Sequence, residues 1–180
     1  IRFILSCQNW DGGFGTYEAR RTRSTLDWLN PAEMFGNSMV EHSWVECTAS
    51  SLEALSTVVD RNPEVSRAID RGEAWLRSRQ LPEGSWLGGW GVCYLYGTLF
   101  GIRGLVAAGA CSDDPALESA SRWLVSKQRS DGGWGEHFES SLHESWRDHD
   151  SSLCVQTAWV LIALLSIPNS RHRDSIDRGL

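Results

Sequence analysis

Ten tryptophans stand among 180 residues, and aromatic faces offer one particular chemistry. A ring attracts a cation through its quadrupole without presenting a base that would take a proton away. Most of these aromatics first need a structural account. Phe14, Trp86 and Trp134 each sit six residues after a glutamine, Gln8, Gln80 and Gln128. An amphipathic run ends at each glutamine: Phe3-Ile4-Leu5, Ala74-Trp75-Leu76 and Arg122-Trp123-Leu124. A glycine-containing turn then delivers the aromatic. A spacing kept three times in one short chain is a repeat. The glutamine amide can bond backbone groups that helix ends leave without partners, and the aromatic can fold back over the helix before it. These three rings therefore read as staples of turns. Trp90 does not fit that rule. It lies four residues past Trp86, between Gly88-Gly89 and Gly91, where the repeat requires no aromatic.

Other chemistry-bearing types are less well placed. His137, His143 and His149, with Asp148 and Asp150, carry metal-ligating atoms. Their spacing of six does not put them on one helix face, so a metal site is the weaker reading. The five cysteines, Cys7, Cys47, Cys93, Cys111 and Cys154, are odd in number and show no CxxC pair. That pattern disfavours a disulfide framework or a zinc finger and fits a reducing compartment. A net charge of -6 with no basic block argues against nucleic acid as a partner. No apolar run reaches the length of a membrane span.

The elements that must position these residues read as helices. Residues 1 to 7 look like the end of one. Asp11 to Tyr17 is a glycine-rich turn, the stretch from Glu18 to Asn30 is polar, and Asn30-Pro31 begins a loop. Trp44, Thr48, Leu52, Leu55 and Val59 form a helical stripe. Asn62-Pro63-Glu64 supplies a capping side chain followed by proline at the first helical position, and that helix runs to Gln80. Cys93 to Ala110 is apolar nearly all round, with Gly97, Gly101 and Gly104 expected to let helices approach closely. Asp114-Pro115 starts the next helix, which ends at Gln128. Leu153 to Ser166 is again apolar nearly all round, Pro168 stops it, and a last helix begins within Asn169 to Leu180.

One-stripe helices thus alternate with helices that are apolar on every side. The first kind faces solvent and the second is enclosed. Two layers of helices, an all-α α/α barrel or toroid, satisfy that alternation. Gln80 and Gln128 are 48 residues apart, one helical hairpin, whereas Gln8 and Gln80 are 72 apart. An insertion is therefore expected near Tyr17 to Glu41. Arg178-Gly179-Leu180 looks like the opening of a further copy. The expectation is a single partial barrel domain over residues 1 to 180, part of a longer protein.

At this point five blocks resemble the C-terminal half of the triterpene cyclases, the squalene-hopene and oxidosqualene (lanosterol-type) enzymes with their QW repeats. They are DGGFGTYE from Asp11, NPAEMFG from Asn30, VECTAS from Val45, GSWLGGWGVCYLYGT from Gly84 and DGGWGEHFES from Asp131. The resemblance implies an α/α barrel in an intracellular, monotopic membrane enzyme. It also implies a linear polyene substrate, squalene or its 2,3-epoxide, cyclised through carbocations with no metal and no organic cofactor. In such a cascade a strong base would quench the charge early, whereas aromatic faces stabilise it by about 2 kcal/mol or more when water is excluded. By resemblance, Trp90 matches the tryptophan that lines the cavity. Tyr17 matches an active-site tyrosine of the lanosterol-type enzymes. Tyr96 matches a tyrosine near the region of the catalytic acid, and Tyr94 beside it reads rather as a core aromatic. Cys47 matches the cysteine that hydrogen-bonds the catalytic aspartate, with a buried small apolar residue as the competing reading.

Departures from the family pattern shape further expectations. No block here matches the Asp-Cys-Thr-Ala segment that protonates the substrate, so the isolated chain is expected not to turn over squalene or its epoxide. His137 stands where the family usually has an acidic residue, which leaves the local hydrogen bonding open. Val155 to Trp159 looks like the squalene-hopene branch, while VECTAS looks like the oxidosqualene branch, so the product skeleton stays open. Two other readings compete: a zinc-dependent prenyltransferase subunit on the same toroid, for which no convincing ligand set is seen, and a non-catalytic helical-repeat binding module.

Overall fold

Helices begin where the chain supplies a cap or a proline. Asn62 Oδ1 accepts the backbone N–H groups of Glu64 and Val65 at 3.0 and 2.9 Å, with Pro63 at the first helical position. Asp114 does the same for Ala116 at 2.9 Å, ahead of Pro115. Both starts are the ones expected from sequence. The computed structural model describes residues 1–20, 28–29, 40–58, 62–90, 92–168 and 171–180. Among these residues there are eight helices and, in place of strands, only isolated bridges. The helices are α1 (Arg2–Ser6), α2 (Val45–Ser56), α3 (Pro63–Arg79), α4 (Cys93–Ala108), α5 (Pro115–Ser126), α6 (Glu139–His143), α7 (Cys154–Ser166) and α8 (Arg173–Gly179). The short α6 was not expected. The Asn30-Pro31 loop and most of the expected insertion lie outside the described residues.

The helices form two layers. α2, α4 and α7 lie side by side, with α4 packed against both of the others. α3 packs on α2 and α4, α5 on α4, and α8 on α7. Burial follows this arrangement. α3 hides one stripe, including Val65, Ala68, Ile69, Trp75 and Leu76. α4, at the centre, buries residues on nearly every side. This is the alternation expected of a partial α/α toroid. α7 departs from it: Val155, Ile162 and Leu165 are exposed along one face, so this apolar helix is covered on one side only.

The repeat turns join one hairpin to the next. Gln8 Nε2 donates to the carbonyls of Gly12 and Ala68 at 2.9 and 2.8 Å. Gln80 Nε2 donates to those of Gly84 and Ala116, both at 2.9 Å. Gln128 Nε2 donates to those of Gly132 and Ser175 at 2.7 and 2.8 Å. One bond in each pair closes the local turn, and the other reaches the outer helix that follows. The aromatics behave as staples. Trp86 and Trp134 are fully buried, and their indole N–H groups donate to Leu76 and Leu124 carbonyls, both at 2.7 Å. Phe14, which has no such donor, is buried in the same way. The backbone N–H of each aromatic donates to a threonine on an inner helix at 3.0 Å: Phe14 to Thr48, Trp86 to Thr98, Trp134 to Thr157. Each unit therefore ties an outer helix, a turn and an inner helix together.

The glycines of α4 serve a different purpose from the one the sequence suggested. A Cβ on Gly97 would collide with the Trp86–Gly88 backbone, and one on Gly101 would collide with the Trp86 ring. Only at Gly104 is the neighbour another helix: a Cβ there would stand 2.5 Å from Leu76 and 2.9 Å from Ala49. Two of the three glycines make room for the stapled turn.

Candidate active site

The first turn of α2 and the loop before α4 are built against each other. Val45 opens α2, so Glu46 and Cys47 fall in its first turn. Glu46 is 5% exposed. Its Oε1 accepts the backbone N–H of Trp90 at 2.8 Å. Its Oε2 is buried and has no hydrogen-bond partner among the described residues. Burial pushes this carboxyl above the usual range, against the pull of hydrogen bonds from its own amide and those of Trp90 and Gly89. Glycine makes the approach possible. A Cβ on Gly88 would stand 3.0 Å from Glu46 Oε1, and one on Gly89 would enter the Trp44 ring. Gly88 and Gly89, just before Trp90 in the sequence, therefore give access to Glu46 and Trp44. Trp90 is 42% exposed as a residue, and its ring lies 6.5 Å from the Trp44 ring, centroid to centroid.

Cys47 is half-buried, with Sγ 3.9 Å from the Thr16 hydroxyl. Burial raises its thiol pKa, and the nearby Glu46 and Glu41 carboxyls add to the rise. The thiol therefore stays protonated, which makes it a weak hydrogen-bond donor and a poor nucleophile. Tyr17 follows Thr16. Its backbone N–H donates to Glu41 Oε1 at 3.3 Å, and the residue is 77% exposed. Tyr96, in the first half of α4, places its ring 5.0 Å from Phe100 and 4.9 Å from Trp159 of α7. Burial raises its phenol pKa, and the nearby Glu46 carboxyl acts on it in the same direction. So the fold brings Glu46, Cys47 and Tyr96 into one neighbourhood. Trp90 is joined to it by its backbone, and Tyr17 by the adjacent Thr16. Tyr94 turns to the opposite side of α4, toward Trp123 and Trp146 at 6.3 and 6.4 Å. There it helps line a cleft of about 730 Å³, where Lys127 Nζ stands 4.9 Å from the Trp146 ring.

Two buried carboxyls were not singled out from the sequence. Besides Glu46, Glu136 accepts the N–H of Tyr94 on Oε1 at 3.0 Å and that of Leu95 on Oε2 at 2.9 Å. It thereby caps α4, whose own N-cap residue, Val92, offers no side-chain bond. The Cys93 thiol reaches Glu136 Oε1 at 3.7 Å. Burial raises the Glu136 carboxyl too. The available signal was an acid sitting among residues that face inward, Val45 and Thr48 around Glu46 and Trp134 and Ser140 around Glu136. The hydrogen bonding left open at His137 is now defined. Its backbone N–H donates to the Arg147 carbonyl at 2.9 Å, and its ring lies 5.8 Å from that of His149. Among the described residues, no three His, Cys, Asp or Glu side chains gather as a metal site would require.

The arrangement has a definite chemical capacity. The faces of Trp90, Tyr96 and Trp159 can stabilise positive charge, and a protonated Cys47 can donate one weak hydrogen bond.

Comparison with known proteins agrees with the architecture. The chain is 42% identical over 186 residues to a cycloartenol synthase from Dictyostelium discoideum, covering 100% of this chain and 26% of that protein. It is also 42% identical over 191 residues to a lanosterol synthase from Saccharomyces cerevisiae, again 100% of this chain and 26% of the other. The chain thus spans about a quarter of the length of these relatives. Among solved structures, ent-copalyl diphosphate synthase from Streptomyces platensis superposes with a TM-score of 0.66 at 23% identity, over 97% of this chain and 29% of that one. A type II terpene cyclase from Scytonema, solved with geranylgeranyl dihydroxybenzoate as substrate, superposes with a TM-score of 0.58 at 19% identity, over 98% and 43%. These likenesses show the fold. The family model for the squalene-hopene cyclase C-terminal domain matches from Ile1 to Leu180, and the chain belongs to that family.

Proposed function

We propose that this segment is the cation-stabilising part of a triterpene cyclase that acts on the 2,3-epoxide of squalene. The observation that carries the reading is the whole-chain identity of 42% with proteins named as cycloartenol and lanosterol synthases. In the proposed reaction an acid outside this segment gives its proton to the epoxide oxygen. The C–O bond breaks as the nearest alkene attacks the carbon, and positive charge moves along the polyene until a proton is lost. Trp90 and Tyr96 present aromatic faces to successive cations, and Tyr17 adds a third, a role that the family resemblance supports. Cys47 donates a hydrogen bond to the carboxylate of the initiating acid, which strengthens that acid. The enzyme needs no metal and no organic cofactor in this reading. It works inside the cell as a monotopic protein on a membrane surface, which the family resemblance supports. The five free cysteines support the intracellular setting.

The test uses the full-length parent enzyme with squalene and with its epoxide. The epoxide is the preferred substrate, because oxygen is far more basic than a carbon–carbon double bond. Trp90→Ala lowers turnover and releases partly cyclised products, and Trp90→Phe is milder. Cys47→Ala slows initiation by roughly tenfold, in proportion to one lost hydrogen bond to a charged group, and leaves the ring skeleton unchanged. Chromatography of the products against time reads all three. A preference for squalene, or normal products at normal rate from Trp90→Ala, overturns the reading.

A further inference from the structure

We infer that Glu46 is a positioning residue for Trp90: its buried carboxyl seats the loop that carries the indole, and so sets which intermediate cation the ring meets. The inference rests on the cyclase reading above. Three observations carry it. First, the bond is direct and long-range in sequence. Glu46 Oε1 accepts the Trp90 N–H at 2.8 Å across 44 residues. Second, the loop is shaped around this contact. Gly88 leaves only 3.0 Å between a would-be Cβ and Glu46 Oε1, and Gly89 lies under the Trp44 ring, two residues before Glu46. The N-cap and first turn of α2 therefore press on the loop with the Trp44 ring and grip it with the Glu46 carboxyl. Third, packing does not explain the residue. The helix face around it is formed by Val45, Thr48, Ala49 and Leu52, and Glu46 Oε2 is buried with no hydrogen-bond partner among the described residues. An apolar side chain at this position would avoid burying that oxygen. What it would lose is the acceptor for Trp90.

The position of the indole matters because attraction to an aromatic face falls off beyond about 6 Å from its centre. A loop free to shift by an ångström or two presents the ring to a neighbouring carbon of the polyene or to none. Cys47, the next residue, is tied to Thr16 instead, so adjacent positions of one helical turn address different parts of the site.

The experiment has two arms on the full-length parent enzyme. In the first, Glu46→Ala, Glu46→Gln, Trp90→Ala and Glu46→Ala/Trp90→Ala are compared with the parent on squalene 2,3-epoxide, and the ratio of partly to fully cyclised product is measured. Glu46→Ala is expected to yield the same partly cyclised products as Trp90→Ala, with the ratio raised by roughly tenfold, and the double variant to add nothing further. Glu46→Gln keeps an oxygen acceptor and is expected to restore the parental ratio. In the second arm, hydrogen exchange of the Trp90 amide is followed without substrate. It is expected to be slow in the parent and in Glu46→Gln, and on the order of tenfold faster in Glu46→Ala. Lower turnover at the parental product ratio, or effects that add in the double variant, overturns the inference. So does an unchanged Trp90 exchange rate in Glu46→Ala. If Glu46→Ala does not fold, Glu46→Gln decides alone: diverted products with a protected Trp90 amide overturn it, and parental products with a protected amide support it. A parent that cyclises neither substrate refutes the cyclase reading, and the exchange arm still judges the Glu46–Trp90 bond.

Discussion

At the scale of single residues, buried polar groups do the specifying. Glu46 and Glu136 each hold backbone N–H groups from distant parts of the chain, and each is retained at the cost of desolvating a carboxyl. His172 is a simpler case with a readable pH dependence. Its Nε2 lies 2.9 Å from the Ser121 hydroxyl, joining the start of α8 to α5. Burial holds its imidazole below the ordinary value of 6.5. The folded chain therefore binds fewer protons here than the unfolded chain does. The stabilising contribution is present above that ordinary value and is lost as pH falls through it toward the depressed folded value. Urea midpoints of the protein should fall between about pH 7 and about pH 5, and His172→Gln should flatten that part of the profile. A profile of the same slope in both proteins would assign the dependence to another group.

At the scale of elements, turns and caps decide where helices stop. Gly109 ends α4 in the left-handed region, at φ +108, and Ala110 N–H returns to the Leu105 carbonyl at 3.0 Å. Nothing lies within 4 Å of where its Cβ would be. Gly132, at φ +89 in the third repeat turn, shares the backbone conformation but lies against the Arg178 carbonyl of α8. The two sites separate conformational cost from steric cost. Gly109→Ala should destabilise by about 1 kcal/mol, the cost of the left-handed conformation alone. Gly132→Ala should cost about 3 kcal/mol or more, because α8 must also move away. Denaturant titrations of the two variants check the difference, and equal costs would remove the Arg178 contact from the account.

At the scale of the whole molecule, stability is passed from each hairpin to its neighbour. Gln128 bonds its own turn and the Ser175 carbonyl of α8, and Arg178 donates to Gln128 Oε1 in return. Gln8 is held in the same manner by Arg71 of α3, at 3.4 Å. Because each link reaches only the next outer helix, damage should stay local. Gln128→Ala is expected to speed amide exchange in α8 on the order of tenfold while α2 keeps its protection. Uniform loss of protection across the chain would show instead that the layers unfold as one unit.

The sequence by itself determined the repeat, the helix starts and the two-layer class. These depend on local rules: glutamine-to-aromatic spacing, Asn-Pro and Asp-Pro caps, and the contrast between one-stripe and all-round apolar helices. It also marked Trp90 as the aromatic that the repeat did not need, because the glycines around it are visible as neighbours. Tertiary structure decided the remainder, since those facts join residues far apart in the chain. No spacing rule relates Glu46 to Trp90 or Glu136 to Leu95, separated by 44 and 41 residues. Nor could it show that Gly97 and Gly101 accommodate a tryptophan turn and not a helix. The family resemblance set Tyr96 apart from Tyr94, but it did not say what either ring meets. Their separation onto opposite sides of α4, one toward Trp123 and the other toward Trp159, follows from the pitch of a helix whose two faces meet different neighbours.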